Sequence, residues 1–217
     1  MLTFSIGDIH GCHDKLMRLL DECRRYADGR PTKYIFLGDL IDRGPDSHAV
    51  VQTVMDLHAR DPENVIALTG NHEELFRASD TSHGLRQWLA NGGSEALGSY
   101  GVNSPKDLPT DHISFLHNLP THHDDGRRFF VHAGIRPGVP LDRQNRDDLL
   151  WIREPFLSSD ADHGRLIVHG HTPVRSGKPD IRSNRINLDT GAVFGRALTA
   201  AAFLDADLNP KDVIQVP

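Results

Sequence analysis

The chain has 217 residues, of which 38% are hydrophobic and 25% charged, a composition that builds a globular core and excludes a disordered or membrane-spanning chain. The net charge of −6 leaves no basic footprint for nucleic acid. Cys12 and Cys23 are the only cysteines. On one helix they lie about 16 Å apart, too far for a disulfide. Two unpaired thiols, a strand that begins at Leu2 with no room for a signal peptide, and no apolar run long enough for a bilayer together predict a cytoplasmic protein. The 14 histidines are a high count for this length, so their positions matter.

Leu2–Ile6 alternates apolar and polar residues and ends in Gly7-Asp8-Ile9-His10-Gly11. In an extended chain Asp8 and His10 point to one side, a carboxylate and an imidazole ready to chelate. Cys12 to Ala27 reads as an amphipathic helix with Leu16, Leu19, Leu20 and Cys23 on its apolar stripe. Lys33 to Leu37 is an aromatic and β-branched run that predicts a buried parallel strand. It stops at Gly38 and delivers Asp39, Asp42 and Arg43. Buried carboxylates need a counter-charge, which makes Asp39 a candidate metal ligand and Arg43 a candidate anion clamp. Alone, the segment also fits a loop closed by an Asp–Arg salt bridge, the commoner arrangement.

Pro45 and Asp46 open a second helix to about Arg60, and Asn64 to Leu68 forms a third strand that ends in Gly70-Asn71-His72-Glu73. Three repeats of strand, polar motif and helix predict an α/β layered sheet. Glu74 to Leu119 breaks this rhythm and reads as short helices, a helical insertion that forms a lid or wall near the site within a single domain of residues 1–217. Within it, Asn91-Gly92-Gly93 suits either close approach to a ligand or a helix C-cap. Strands return at Arg127 to Val131, ending in His132, and at Arg165 to Val168, ending in His169-Gly170-His171. Arg185 to Leu188 and Ala197 to Asp205 read as two strands of a hairpin or second sheet.

Five strand ends therefore carry candidate ligands, and in open α/β sheets ligands bind at the carboxyl ends of strands. A mixture of oxygen and nitrogen donors without thiolate points to Mn²⁺, Fe or Zn²⁺.

The motifs Gly7-Asp8-Ile9-His10-Gly11, Gly38-Asp39-Leu40-Ile41-Asp42-Arg43-Gly44 and Gly70-Asn71-His72-Glu73 resemble the phosphoprotein phosphatase family of calcineurin-like metallophosphoesterases. Val131-His132-Ala133-Gly134, Leu150-Trp151-Ile152-Arg153 and Gly170-His171-Thr172-Pro173 extend the resemblance over nearly the whole chain, closest to the compact bacterial and phage-lambda type.

The resemblance implies a four-layer α/β/β/α sandwich. It implies one metal on Asp8, His10 and Asp39, with Asp39 bridging to a second metal on Asn71, His132 and His171; spacing alone does not choose between His169 and His171, and the resemblance favours His171, leaving the role of His169 undefined. Two such ions, Mn in the first instance with Fe or Zn as alternatives, lie about 3.5–4 Å apart and supply a bridging hydroxide that attacks phosphorus directly. Arg43, Asn71 and Arg153 then bind the phosphoryl oxygens. His72 is the general acid, with Asp42 orienting its ring and favouring the imidazolium. The expected activity is phosphomonoester hydrolysis on a phosphorylated protein or peptide, serine/threonine and also tyrosine. Diadenosine tetraphosphate hydrolysis, or that of another small phosphoester, is the alternative.

Overall fold

The computed structural model describes residues 1–217 as two mixed five-stranded sheets. In the first sheet, β1 (Leu2–Ile6) lies parallel to β2 (Thr32–Phe36), and β2 parallel to β3 (Val65–Ala67). The helices α1 (His13–Ala27) and α2 (Ser47–Arg60) connect these strands. Asp46 caps α2 by accepting the Ala49 N–H at 2.9 Å.

After β3 the chain makes a helical excursion through α3 (Asn71–Arg77), α4 (Ser82–Trp88), α5 (Ser94–Tyr100) and α6 (Thr110–His117). The Thr69 N–H donates to the Pro120 carbonyl at 2.8 Å and closes the neck of the excursion.

The second sheet takes β4 (His122–Asp124), β5 (Arg128–Val131), β6 (Leu166–His169), β7 (Asp180–Ile181) and β8 (Arg185–Asn187), in the order β4-β5-β6-β8-β7. Between β5 and β6 runs α7 (Arg146–Trp151). The chain then returns to the first sheet, where β9 (Leu198–Leu204) pairs antiparallel with β1, and β10 (Asp212–Val216) pairs with β9.

Three apolar clusters set the layers. Ile35 and Phe203 from the first sheet meet Phe130, Val168 and Ile186 from the second, so the two sheets pack face to face. Phe4, Phe36 and Ala202 on the opposite face of the first sheet pack under α1 and α2 with Leu16, Leu20 and Val51. Phe129, Val131 and Ile167 on the outer face of the second sheet pack against Leu149 and Phe156. These are the layers of the α/β/β/α sandwich expected from the motifs.

The tail meets its expectation only in part: β8 joins the second sheet, but β9 joins the first, so Arg185–Leu188 and Ala197–Asp205 are not partners. β9 sits between β1 and β10 and is buried almost throughout, as a central strand of a covered sheet must be. No helix is long and apolar enough to cross a membrane.

Candidate dinuclear metal centre

β1, β2, β3, β5 and β6 all end at one rim, where the two sheets bring their motifs together. Asp8, His10, Asp39, Asn71, His132 and His171 are each at most 8% exposed. The backbone at this rim is bent into the left-handed region at His10 (φ 47°), Asp39 (50°), Asp42 (75°), Arg43 (65°) and His171 (67°). Only one other non-glycine residue, Asp28, shares that conformation. Strain of this kind persists where surrounding contacts over-determine the geometry, and it marks functional sites.

Asp39 is the centre of the group. Its Oδ2 lies 3.3 Å from His10 Nε2 and its Oδ1 lies 3.4 Å from His132 Nε2. Asn71 Oδ1 sits 2.8 Å from both His132 Nε2 and His171 Nδ1. Two sets of donor atoms converge within 4.8 Å: His10, Asp39 and His72, and Asp39, His132 and His171. Asp8 stands beside them, its carboxylate accepting the His171 N–H at 3.1 and 3.2 Å.

The protonation pattern of these groups fits cations. His10 Nδ1 donates to the Ile41 carbonyl at 2.8 Å, and His132 Nδ1 to the Leu37 carbonyl at 2.9 Å. Burial lowers the His132 pKa, so its ring is neutral and Nε2 presents a lone pair. That lone pair faces the Asn71 and Asp39 oxygens, all of them acceptors. Acceptors held this close repel one another until a cation lies among them. Backbone carbonyls that fix the far nitrogen of each imidazole are the usual support for metal-ligating histidines. The donor set of imidazole nitrogen, carboxylate and amide oxygen suits borderline divalent ions.

Electrostatics divide the carboxylates. Burial opposes the charge on Asp39, but His132, His72 and His10 outweigh it and hold its carboxyl well below the usual range. Burial, Asp189 and Asp39 push Asp8 well above that range. Asp189 is raised to about 6, chiefly by burial. This third carboxylate was not singled out in the sequence, although Leu188-Asp189-Thr190-Gly191 repeats the punctuation of the other strand ends. Two further residues missed there are Glu73, which accepts the N–H groups of Asp39, Leu40 and Gly70, and Trp88, whose indole N–H donates to Asp42 at 2.9 and 3.0 Å.

His72 lies over His10, ring centroids 4.6 Å apart, and its Nδ1 meets Asp42 Oδ2 at 2.7 Å. Its Nε2 is buried without a partner. Burial drives the ring pKa down to about 3, against the pull of Asp39. The expectation that Asp42 favours the imidazolium is therefore corrected: desolvation exceeds the carboxylate's effect, and burial raises Asp42 itself.

Arg43 is exposed, and its only side-chain partner is His10 Nε2 at 2.8 Å. Arg153 is also exposed; burial pushes the His171 pKa down to about 3, and His132 and the nearby Arg153 charge act in the same direction. Arg153 forms no salt bridge with Glu154, which instead accepts the Ser158 hydroxyl. His169 stays out of the cluster, buried edge-on to Phe156 with Nε2 unpartnered. Gly92 approaches Arg43 rather than open space, its carbonyl accepting the Arg43 N–H at 3.1 Å. Asn91-Gly92-Gly93 is thus not a C-cap but a clasp on the arginine.

The family model described as calcineurin-like phosphoesterase matches residues 1–199. The chain is 31% identical over 234 residues to a bis(5′-nucleosyl)-tetraphosphatase PrpE [asymmetrical] of Anoxybacillus flavithermus, covering 94% of this chain and 91% of that one. It is 33% identical over 230 residues to the protein of the same name from Halalkalibacterium halodurans, covering 91% and 88%. Among solved structures, one provisionally described as a diadenosine tetraphosphatase superposes with a TM-score of 0.72 at 23% identity, over 100% of this chain and 93% of the other, a likeness of fold.

The expected phosphorylated protein or peptide partner is overturned by these relatives, which are named for small nucleotides. A phosphopeptide and a polyphosphate present the same phosphoryl group to the same motifs, which is why the motifs did not separate them. The chain belongs to the calcineurin-like phosphoesterase family, whose members are metal-dependent phosphoester hydrolases.

Proposed function

We propose that the protein hydrolyses bis(5′-nucleosyl) tetraphosphates asymmetrically. The observation that carries this reading is the shared name of relatives 31% and 33% identical along at least 91% of the chain. Asp8, His10 and Asp39 would hold one divalent ion. Asn71, His132 and His171 would hold a second, with Asp39 shared, and Mn²⁺ is the first candidate. Such ions, when bound, supply Lewis acidity to phosphoryl oxygens and make water more acidic.

The chain's own residues bind and orient. Arg43 and Arg153, both exposed and free of carboxylate partners, offer forked N–H donors to equatorial phosphoryl oxygens. Water adds to the phosphorus nearest one nucleoside, the bridging P–O bond breaks, and the departing triphosphate keeps the electron pair. That leaving group is a stable anion near neutral pH, so its departure does not depend on a proton from His72, whose ring is neutral.

The test is product analysis. Mn²⁺-loaded protein given diadenosine tetraphosphate should yield ATP and AMP in equal amounts. Two equivalents of ADP would refute asymmetric cleavage, and no turnover by a fully metallated protein would refute the activity. Asp39→Ala should lose metal and turnover together.

A further inference from the structure

Of the large apolar side chains that stand exposed, only two are aromatic, Trp151 at 42% and Phe194 at 59%. Both stand on segments that border the metal centre. Trp151 ends α7, and its indole meets the His171 ring edge-on with centroids 6.2 Å apart. Arg153, a proposed phosphate ligand, follows two residues later. The rest of α7 obeys burial, with Leu149 and Leu150 inside, so the exposed indole is a departure from the helix's own pattern.

Phe194 closes the short turn Ala192–Phe194, five residues after Asp189, a carboxylate that stands close enough to Asp8 to add to the rise that burial causes in its pKa. The turn is braced: Lys15 Nζ donates to the Ala192 carbonyl at 3.0 Å, and Asp189 Oδ1 accepts the Gly191 N–H at 3.1 Å. Between this turn and the start of α1 lies a cleft of 480 Å³ lined by Cys12, His13, Asp14 and Lys15, by Pro45 and Asp46, and by the turn itself. Two of its lining residues, Cys12 and Pro45, directly follow Gly11 and Gly44, which pack against each other beside His10.

One aromatic therefore touches the His171 end of the ligand row, and the other stands on the loop that follows Asp189, the carboxylate beside Asp8. A free-standing ring on a braced segment is a stacking platform that accepts any base, since every base has a π-face. A substrate with a base at each end of a polyphosphate bridge needs two such platforms flanking the hydrolytic centre. Resting on the dinucleotide reading above, we infer that Trp151 and Phe194 are the two nucleobase platforms of this site, with the polyphosphate running between them past Arg43 and Arg153.

Two measurements test this on Mn²⁺-loaded protein. Trp88 is buried, so Trp151 is the one exposed indole, and AMP should quench its fluorescence while ribose 5-phosphate, which lacks a base, should not. Trp151→Leu and Phe194→Leu should each lower kcat/KM for diadenosine tetraphosphate about ten-fold or more relative to p-nitrophenyl phosphate. Trp151→Phe, which keeps a π-face, should restore most of the loss. If the dinucleotide is hydrolysed and neither leucine variant changes that ratio, the platform assignment is overturned while the activity stands. If p-nitrophenyl phosphate is hydrolysed and the dinucleotide is not, the activity falls. The AMP quench then decides the platforms alone, and its absence overturns them too.

Discussion

The Glu73 carboxylate accepts the backbone N–H of Asp39 at 2.9 Å, and so ties the loop after β2 to the start of α3. The same carboxylate takes the N–H groups of Leu40 at 2.8 Å and Gly70 at 2.7 Å. Asp39 can hold φ 50° because these bonds leave it no alternative. Glu73 thus fixes the Asp39 backbone without reaching the converging donor atoms itself.

Glu73→Gln keeps the shape but puts an amide N–H₂ where an acceptor is required, leaving a buried N–H unsatisfied. The expected cost is about 1–3 kcal/mol of stability and a roughly 10–100-fold loss of Mn²⁺ affinity, read by urea denaturation and metal titration. Unchanged metal affinity alongside lost stability would confine Glu73 to a folding role.

His72→Asn separates the leaving-group question from metal binding. A positioned general acid is worth about 10²–10⁴-fold, and only a poor leaving group needs it. The neutral ring spends its one proton on Asp42 and has none at Nε2 to give, so the variant should keep its metal and lose kcat about equally on an alkyl phosphate and on a dinucleoside tetraphosphate. A loss of roughly 10²-fold or more confined to the alkyl phosphate would return His72 to proton transfer.

Much of this site was legible because its signals are local. A strand that stops at glycine and presents Asp or His is visible in a few residues, and five such ends gave Asp8, His10, Asp39, Asn71, His132 and His171. What was not legible depends on partners far along the chain. Trp88 lies 46 residues from Asp42, and nothing in the sequence around either shows that the indole reaches the carboxylate. The placement of β9 was misread for a similar reason, since a hairpin and a crossing between sheets look alike locally. Yet Thr199-Ala200-Ala201-Ala202 has little polar alternation, and a strand without it is covered on both faces. The protonation of His72 was misread because proximity to Asp42 can be guessed from the motif, whereas complete desolvation cannot.

Gly92→Ala tests whether the helical excursion supports the phosphate clamp. Gly92 has φ 108°, and a Cβ there would come within 2.5 Å of the Arg43 backbone nitrogen. Neither the conformation nor the space tolerates a methyl group, and a non-glycine residue held in such a region costs about 1–3 kcal/mol. The expected result is a displaced Arg43: KM for the dinucleotide rises, while Mn²⁺ affinity changes little. A wild-type KM would disconnect the excursion from substrate binding.

His169 makes acid stability of the metal-free protein predictable. Burial pushes its pKa down to about 3, from 6.5 in the unfolded chain. Between those values the unfolded chain binds a proton that the folded one refuses. The His169 contribution is therefore intact above pH 6.5 and is lost progressively as pH falls towards 3. At about pH 5 the loss is on the order of 2 kcal/mol relative to pH 8. His169→Phe, which cannot titrate and can pack beside Phe156, should be less sensitive to acid by that amount when urea midpoints are compared at the two pH values. Parallel pH profiles for variant and wild type would mean that His169 accepts its proton in place, through an opening towards solvent around Phe156.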